Sequence, residues 1–422
     1  MLFRVASFSL RLAPRRGVPL SHCQCYSTGS PLPNDPLVAD VLKEPVKRKE
    51  SRIEWATKTV PAFEGMSEGR LPPMMEWRKY FPFMADVNHR ISIRNPETAA
   101  VMAETFVPEG SNGKVIIEAF PGPGQLTRAL LALPKERIRK LIVMETTPLY
   151  LKYLRPLQEL DSRITVIPHS GYEWDAYDVI ESMGLLKDVP KLAWDAGVHP
   201  GFQFISHIPS TVSGEQLISQ FFRSIPEKHW VFKYGRTPLN FILGENVWRR
   251  ISAAIGAKSA RCKVSVIAEA VAECTEALPF SKFQPYQDHF HPTRSLFGSD
   301  PNLKYNARRT GNPFQAIKVI PREHQVIPKG DLDSWDFCLR RLFVRKATPL
   351  KTGLGALAPG AQSLLKVLTN PDLPESDRVD ITKTMAHLTI QDWAAIVKAF
   401  KEWPFMPENL SIDDTFMMRD PR

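Results

Sequence analysis

The sequence predicts an α/β protein, a Rossmann-like doubly wound sheet followed by a smaller helical domain. Three observations carry this. Short β-branched runs alternate with amphipathic stretches from Ile93 onward. A glycine turn, "PGPGQ", follows the first strong run. After about Gly330 the runs stop and the apolar spacing becomes helical.

The chain has 422 residues, 43% hydrophobic and 24% charged, enough to bury a large core and ordinary for a globular protein. Proline outnumbers glycine, 37 to 22, so many loops are expected to be stiff. No apolar run approaches the roughly 18 residues of a membrane span. The formal net charge of +10 favours polyanionic partners and says nothing about fold.

Taken in order, the chain opens with an arginine- and serine-containing stretch that has no acid before Asp35. Arg4 and Arg11 share one face of a short helix, and Arg11, Arg15 and Arg16 interrupt any secretory apolar core. Residues 1–27 are therefore expected to be a mitochondrial transit peptide, cut near Tyr26, with the matrix as destination. Without its four arginines the chain keeps +6 of its +10. Residues 28–80, rich in Pro, Lys and Glu, read as a linker with one helix at most. Five cysteines, Cys23, Cys25, Cys262, Cys274 and Cys338, show no metal spacing and no even framework, so no metal is expected.

The sheet domain is expected over 81–330. Its candidate strands are "KVIIEAF", "KLIVMET", "ITVIPHS", "FQFISHI", "HWVFKYG", "CKVSVIAEA" and "FQAIKVIP". Its candidate helices are "QLTRALLAL", "TPLYLKYLRPL" and "SGEQLISQFFRSI". Alternation of this kind implies a mostly parallel sheet covered on both faces. Over 331–422 helices are expected: Trp335, Leu339 and Leu342 recur at helical spacing, as do Trp393, Ile396 and Phe400.

In such a sheet, ligands bind at the carboxyl ends of the strands. Gly122 and Gly124 follow the first strand and open a helix, where glycine permits a sharp turn and close backbone approach. Glu145 ends the second strand, 21 residues beyond Gly124, placed to accept hydrogen bonds from ribose hydroxyls. Turn, helix, strand and acid together point to a dinucleotide- or adenosyl-type site. A plain βα turn with a surface glutamate is the simpler alternative.

These residues also carry a family resemblance. "EAFPGPGQLTRAL" resembles the first motif of the ribosomal RNA adenine dimethyltransferases, with Glu118, Gly122, Gly124, Leu126 and Thr127 matching. "FCLRRLFVRKATPLKTGLGAL" is similar to that family's C-terminal helix, and "FQPYQDHFHP" to its proline-spaced loop before the last strand. "AFPGPG", "GYEWDAY", "WDFCLRRLFVRKATPL" and "FKEWPFMPENL" look like a divergent fungal mitochondrial branch, the resemblance covering roughly 80–415. It implies a class I S-adenosylmethionine-dependent methyltransferase fold, with S-adenosylmethionine as the family's cofactor.

The departures bear on chemistry. Phe120 stands at the family's first glycine, where a side chain crowds the methionine end of the cofactor. Ser170 replaces the third-strand acid that contacts the adenine and is a weaker acceptor. The catalytic Asn-Leu-Pro-Tyr reads His207-Ile208-Pro209-Ser210. Methylating an adenine amine requires a flipped base stacked on a ring, with its amino group held by acceptors. Ser210 offers no ring and His207 no amide carbonyl. In the N-terminal motif that closes over the cofactor, "HRISIRNPETA", only Ile93 keeps its place. A vestigial cofactor set is thus expected: Ile93, Glu118, Phe120, Gly122, Gly124, Glu145, Ser170 and His207.

Basic residues interleave with aromatic ones. Arg340, Arg341, Arg345 and Lys346 lie within two helical turns; Arg308 and Arg309 fall in "YNARRTG". Lys233, Tyr234 and Arg236 are expected to end the fifth strand, at the substrate rim. Cations with rings suit single-stranded nucleic acid, although any one basic face is more often merely solvated. The resemblance to the fungal branch implies a dissociable initiation factor for the single-subunit mitochondrial RNA polymerase, stabilising the melted strand of promoter DNA. An active mitochondrial rRNA adenine dimethyltransferase is the competing reading, with rRNA as partner, and a general mitochondrial RNA-binding protein a third.

Overall fold

The computed structural model describes residues 57–82, 87, 89–257, 259–293 and 311–410. The expected transit peptide, most of the expected linker, and Arg308 and Arg309 lie outside the described residues. Secondary elements alternate as the sequence suggests. Strand β1 (Ser92–Ile93) is short; helix α1 (Pro96–Phe106) follows. Then come β2 (Lys114–Ala119), α2 (Gln125–Ala132), β3 (Ile138–Met144) and β4 (Ile164–Ile167). Helix α3 (Asp175–Ser182) leads to β5 (Phe202–His207), α4 (Val212–Glu227) and β6 (Leu239–Gly244). After α5 (Lys263–Val271) come β7 (Ala272–Leu278), β8 (Phe290–His291) and β9 (Phe314–Pro321). The C-terminal part is built on α6 (Leu332–Phe343) and α7 (Ile390–Lys401).

Seven strands form one sheet in the order β4-β3-β2-β5-β6-β9-β7. The first five are mutually parallel, and β9 runs antiparallel to both β6 and β7. This is the Rossmann-like arrangement of S-adenosylmethionine-dependent methyltransferases, as expected. The pleat divides β2 between two cores. Val115, Ile117 and Ala119 pack with α3, α4, α5 and the C-terminal helices; Ile116 packs on the other face with α1 and α2. Both faces are covered, which explains the near-continuous apolar runs of β2, β3 and β5.

Caps set helix starts. The Asn95 side chain accepts from the Glu97 and Thr98 amides, with Pro96 at the first position of α1. Thr211 caps α4 by accepting from the Gly214 amide, and Thr389 and Asp392 form a capping box on α7.

Two expected strands are corrected. "HWVFKYG" holds a 3-10 turn, Trp230–Tyr234, and the fifth strand is β6, "LNFILG". Trp230 has φ 55°, which no strand accommodates, and its ring stacks on Phe221 of α4 at 4.5 Å. Most of "CKVSVIAEA" is α5, and the strand begins at Ala272. There Cys262 and Ser265 cap the helix start reciprocally, outweighing the β-branched valines and isoleucine.

Candidate functional site

Parallel strands deliver their following loops to one edge, and four of these loops meet at the carboxyl ends of β2, β3, β4 and β5. They are the glycine turn, residues 145–147, 170–172 and 207–211. A fifth segment, the strap 89–93, runs across them. It is fixed at its far end by antiparallel pairing of Ser92 with His291 and Ile93 with Phe290.

The glycine turn has the backbone its residues require. Gly122 and Gly124 have φ 62° and 88°. Phe120 also has φ 60°, so the phenylalanine holds a backbone conformation suited to glycine, at a cost of order 1 kcal/mol. Its ring is 4% exposed, lies 4.9 Å from that of Tyr172, and would clash with any β-carbon on Gly171. Arg128 of α2 pins the turn from beneath. It donates to the Pro123, Gly124, Tyr153 and Gly69 carbonyls at 2.9, 2.8, 2.8 and 2.5 Å.

Arg90 reaches the centre of this edge. Its Nη2 donates to Glu145 Oε2 at 2.5 Å, and its guanidinium lies 5.0 Å from the Phe120 ring centroid. The other Glu145 oxygen accepts from the Thr146 and Thr147 amides, each at 2.9 Å. Burial alone would lower Arg90, but the Glu145 charge and hydrogen bond outweigh it and hold Arg90 above the ordinary arginine range. Both Glu145 oxygens are therefore engaged within the chain. Ser92 Oγ packs directly on the Gly122 α-carbon, where a β-carbon would have no room.

Glu118 is buried near the end of β2. Thr127 Oγ1 donates to its Oε2 at 2.7 Å, while Oε1 has no partner. Burial pushes this carboxyl up to about 7, opposed by the Thr127 hydrogen bond and the Arg128 charge. Ser170 accepts from the Tyr172 amide at 3.2 Å, and Tyr172 Oη lies 3.4 Å from Thr211 Oγ1. His207 ends β5 against Phe314 and Phe290, and its Nε2 is unpartnered. Burial and the nearby Arg90 charge lower it to about 3, so the imidazole is neutral at ordinary pH. Ile208, Pro209 and Ser210 border only about 10 Å³ of space, shared with Leu243, Gly244, Asn246 and Val247 of the next loop.

The structure thus gathers the whole expected set at one edge: Ile93, Glu118, Phe120, Gly122, Gly124, Glu145, Ser170 and His207. It adds three residues that sequence reasoning passed over: Arg90, Arg128 and Tyr172. The arginine three residues before Ile93 in "HRISIRNPETA" was the available signal for Arg90. The residues present do not fit S-adenosylmethionine in this arrangement. The acid meant for its ribose is bonded to Arg90 and two amides, and Phe120 and Arg90 stack where the turn faces the pocket. Among the described residues no group of three or more His, Cys, Asp or Glu side chains can hold a metal ion. Among them, too, no helix is long and apolar enough to cross a membrane.

Among the described residues, the expected nucleic-acid residues fall in two groups on different elements. Lys233 and Tyr234 lie in the turn before β6 and Arg236 just after it, at the amino edge of the parallel strands, not at the substrate rim. They are held by their own chain. Lys233 pairs with Glu181, and Tyr234 Oη donates to Glu181 at 2.9 Å. Arg236 donates to the Pro321 carbonyl and pairs with Glu323, both at 3.0 Å. Lys233 and Tyr234 instead line a separate cavity of about 310 Å³ with Trp174, Tyr177 and Trp230. Arg340, Arg341 and Arg345 are exposed around the end of α6, with no carboxylate within 4.0 Å among the described residues; Lys346 is half-buried and donates to the Ser259 carbonyl at 3.3 Å.

The family model "Ribosomal RNA adenine dimethylase" matches residues 93–402. Mitochondrial transcription factor 1 of Lachancea kluyveri is 25% identical over 300 residues, 69% of this chain and 82% of its own length. The protein of that name from Saccharomyces cerevisiae is 24% identical, covering 70% and 82%. Mitochondrial dimethyladenosine transferase 1 of Caenorhabditis elegans is 22% identical over 352 residues, 80% and 84% of the two chains. Among solved structures, the 23S rRNA methyltransferase ErmE aligns over 74% of this chain and 99% of its own, with TM-score 0.45 and 14% identity.

Proposed function

The chain belongs to the ribosomal RNA adenine dimethylase family, and on that footing we propose that it works as a mitochondrial transcription initiation factor, not as a methyltransferase. One observation carries the reading: Arg90 occupies the family's cofactor edge, bonded to Glu145 and stacked on Phe120. A transferase needs that edge for its methyl donor and needs a ring and acceptors for the target base. Here the ring position is Ser210, and the residue at the acceptor position is a buried, neutral His207. Relatives named mitochondrial transcription factor 1 support the same direction.

The partners on this reading are the single-subunit mitochondrial RNA polymerase and promoter DNA, in the matrix, with rRNA as the partner under the competing transferase reading. The factor assists melting and holds the open strand. Arg340, Arg341 and Arg345 offer phosphates an uncompensated positive face. Run-off transcription from a linear mitochondrial promoter, with polymerase alone and with polymerase plus this protein, tests the reading. Initiation is expected to require the protein. Equal initiation by polymerase alone would sink it, and methylation of an adenine in small-subunit rRNA by the purified chain would install the dimethyltransferase reading instead.

A further inference from the structure

We infer that Arg90 is a positioning residue, an internal ligand of the former cofactor pocket that fixes the strap and, through it, the 207–211 loop. The inference rests on the reading above for what that loop faces, and not for how the pocket is filled.

The strap is attached to three of the loops it crosses, the glycine turn, 145–147 and 207–211. Arg90 takes the Glu145 carboxylate and the face of Phe120. The preceding residue, His89, accepts at its carbonyl from the Ser210 amide at 3.0 Å. Two residues after Arg90, Ser92 packs on Gly122, and Ser92 and Ile93 pair with β8. Of these strap residues Arg90 alone carries a charged side chain that is buried, at 8% exposure. Its partner cannot be satisfied without it. Glu145 is 1% exposed, and its two amide donors both serve Oε1, leaving Oε2 to the guanidinium. A buried carboxylate that loses its cation either draws in water or moves, and either outcome shifts the strap.

The consequence for the loop follows from register. Ser210 donates its amide hydrogen bond to the residue adjacent to Arg90, so a displaced guanidinium moves the accepting His89 carbonyl as well. Tyr172 links the two sides of the arrangement, its ring on Phe120 and its hydroxyl near Thr211. Pro209 is held close on the other side, since its carbonyl leaves no room for a β-carbon on Gly214. The loop that stands at the family's target-base position is thus clamped from the emptied pocket through Arg90.

The test uses the full chain and two readouts that do not depend on transcription. In calorimetry with S-adenosylhomocysteine, the wild-type protein is expected to show no saturable binding up to about 1 mM; micromolar affinity would overturn the inference, because the pocket would then be open to its old ligand. Hydrogen–deuterium exchange is compared in wild type, Arg90→Ala, Glu145→Gln and Arg90→Lys. Peptides spanning 207–211 are expected to exchange about tenfold faster or more in Arg90→Ala and Glu145→Gln, a change of about 1.4 kcal/mol or more in local opening. Arg90→Lys should restore part of the protection, and peptides spanning β9 should not change. Unchanged 207–211 exchange in both pair-breaking variants, or uniform loss of protection including β9, would overturn the positioning role. A failed run-off requirement removes the transcription reading and leaves these two readouts standing.

Discussion

At the level of single residues, Glu118 carries a pH signature of its own. Its carboxyl is pushed up to about 7 from an ordinary 4.5 because burial disfavours the charge and one oxygen lacks a partner. Below pH 4.5 folded and unfolded chains both hold the proton. Between 4.5 and 7 the unfolded chain releases it while the folded chain keeps it, so stability falls with rising pH; above 7 nothing further is lost. Glu118→Gln keeps an acceptor for Thr127 and removes the titration. Urea unfolding should show the variant gaining on wild type by up to about 3 kcal/mol between pH 4.5 and 8. A constant difference across that range would mean the carboxyl titrates normally. Phe120 was legible as a departure from glycine, but its φ of 60° was not, because sequence names a side chain without the backbone it must adopt.

Among the elements, α6 divides its faces most plainly. Trp335, Leu339 and Leu342 are buried, and Arg340 and Arg341 are exposed, with their guanidinium groups over the Phe337 ring. If this face meets phosphates, Arg340→Glu with Arg341→Glu should lower the slope of log affinity against log salt by about 1.4 for a single-stranded oligonucleotide, as two contacts are lost. Fluorescence anisotropy with a labelled strand measures it, and an unchanged slope removes the helix from the interface. Helical period made α6 and α7 readable. The same reasoning placed Lys233, Tyr234 and Arg236 at the wrong edge because it read the 230–234 turn as a strand. A short apolar run bounded by breakers does not distinguish a turn packed on a helix from a buried strand.

For the whole molecule, buried imidazoles set the acid limit. Burial lowers His89 and His291 to about 4 and His207 to about 3, with neighbouring arginines adding to the effect. Each group stays neutral in the folded chain and takes a proton on unfolding below pH 6.5, so stability present above 6.5 is lost as pH falls toward 4. Three such groups oppose the single trend of Glu118. The urea midpoint should therefore drop between pH 7 and pH 5; a flat or rising midpoint would show that these imidazoles are not shielded as described. The mostly parallel sheet, its two covered faces and the carboxyl-edge constellation were legible because periodicity and the glycine turn are local signals. The ion pair that fills the site was not, because its partners are 55 residues apart and neither motif mentions the other.

Phe120 also ties the residues of this edge into one set of mutual contacts. Its ring leaves no room for a side chain on Gly171, rests on Tyr172 and supports Arg90, which in turn holds the acid of β3. Each of these side chains is a condition for the seating of its neighbours. Returning glycine at 120 would relax the backbone but leave Arg90 seated on Glu145, and withdrawing Arg90 alone would strand a buried charge. No single substitution among these frees the edge, because each contact is held in place by its neighbours.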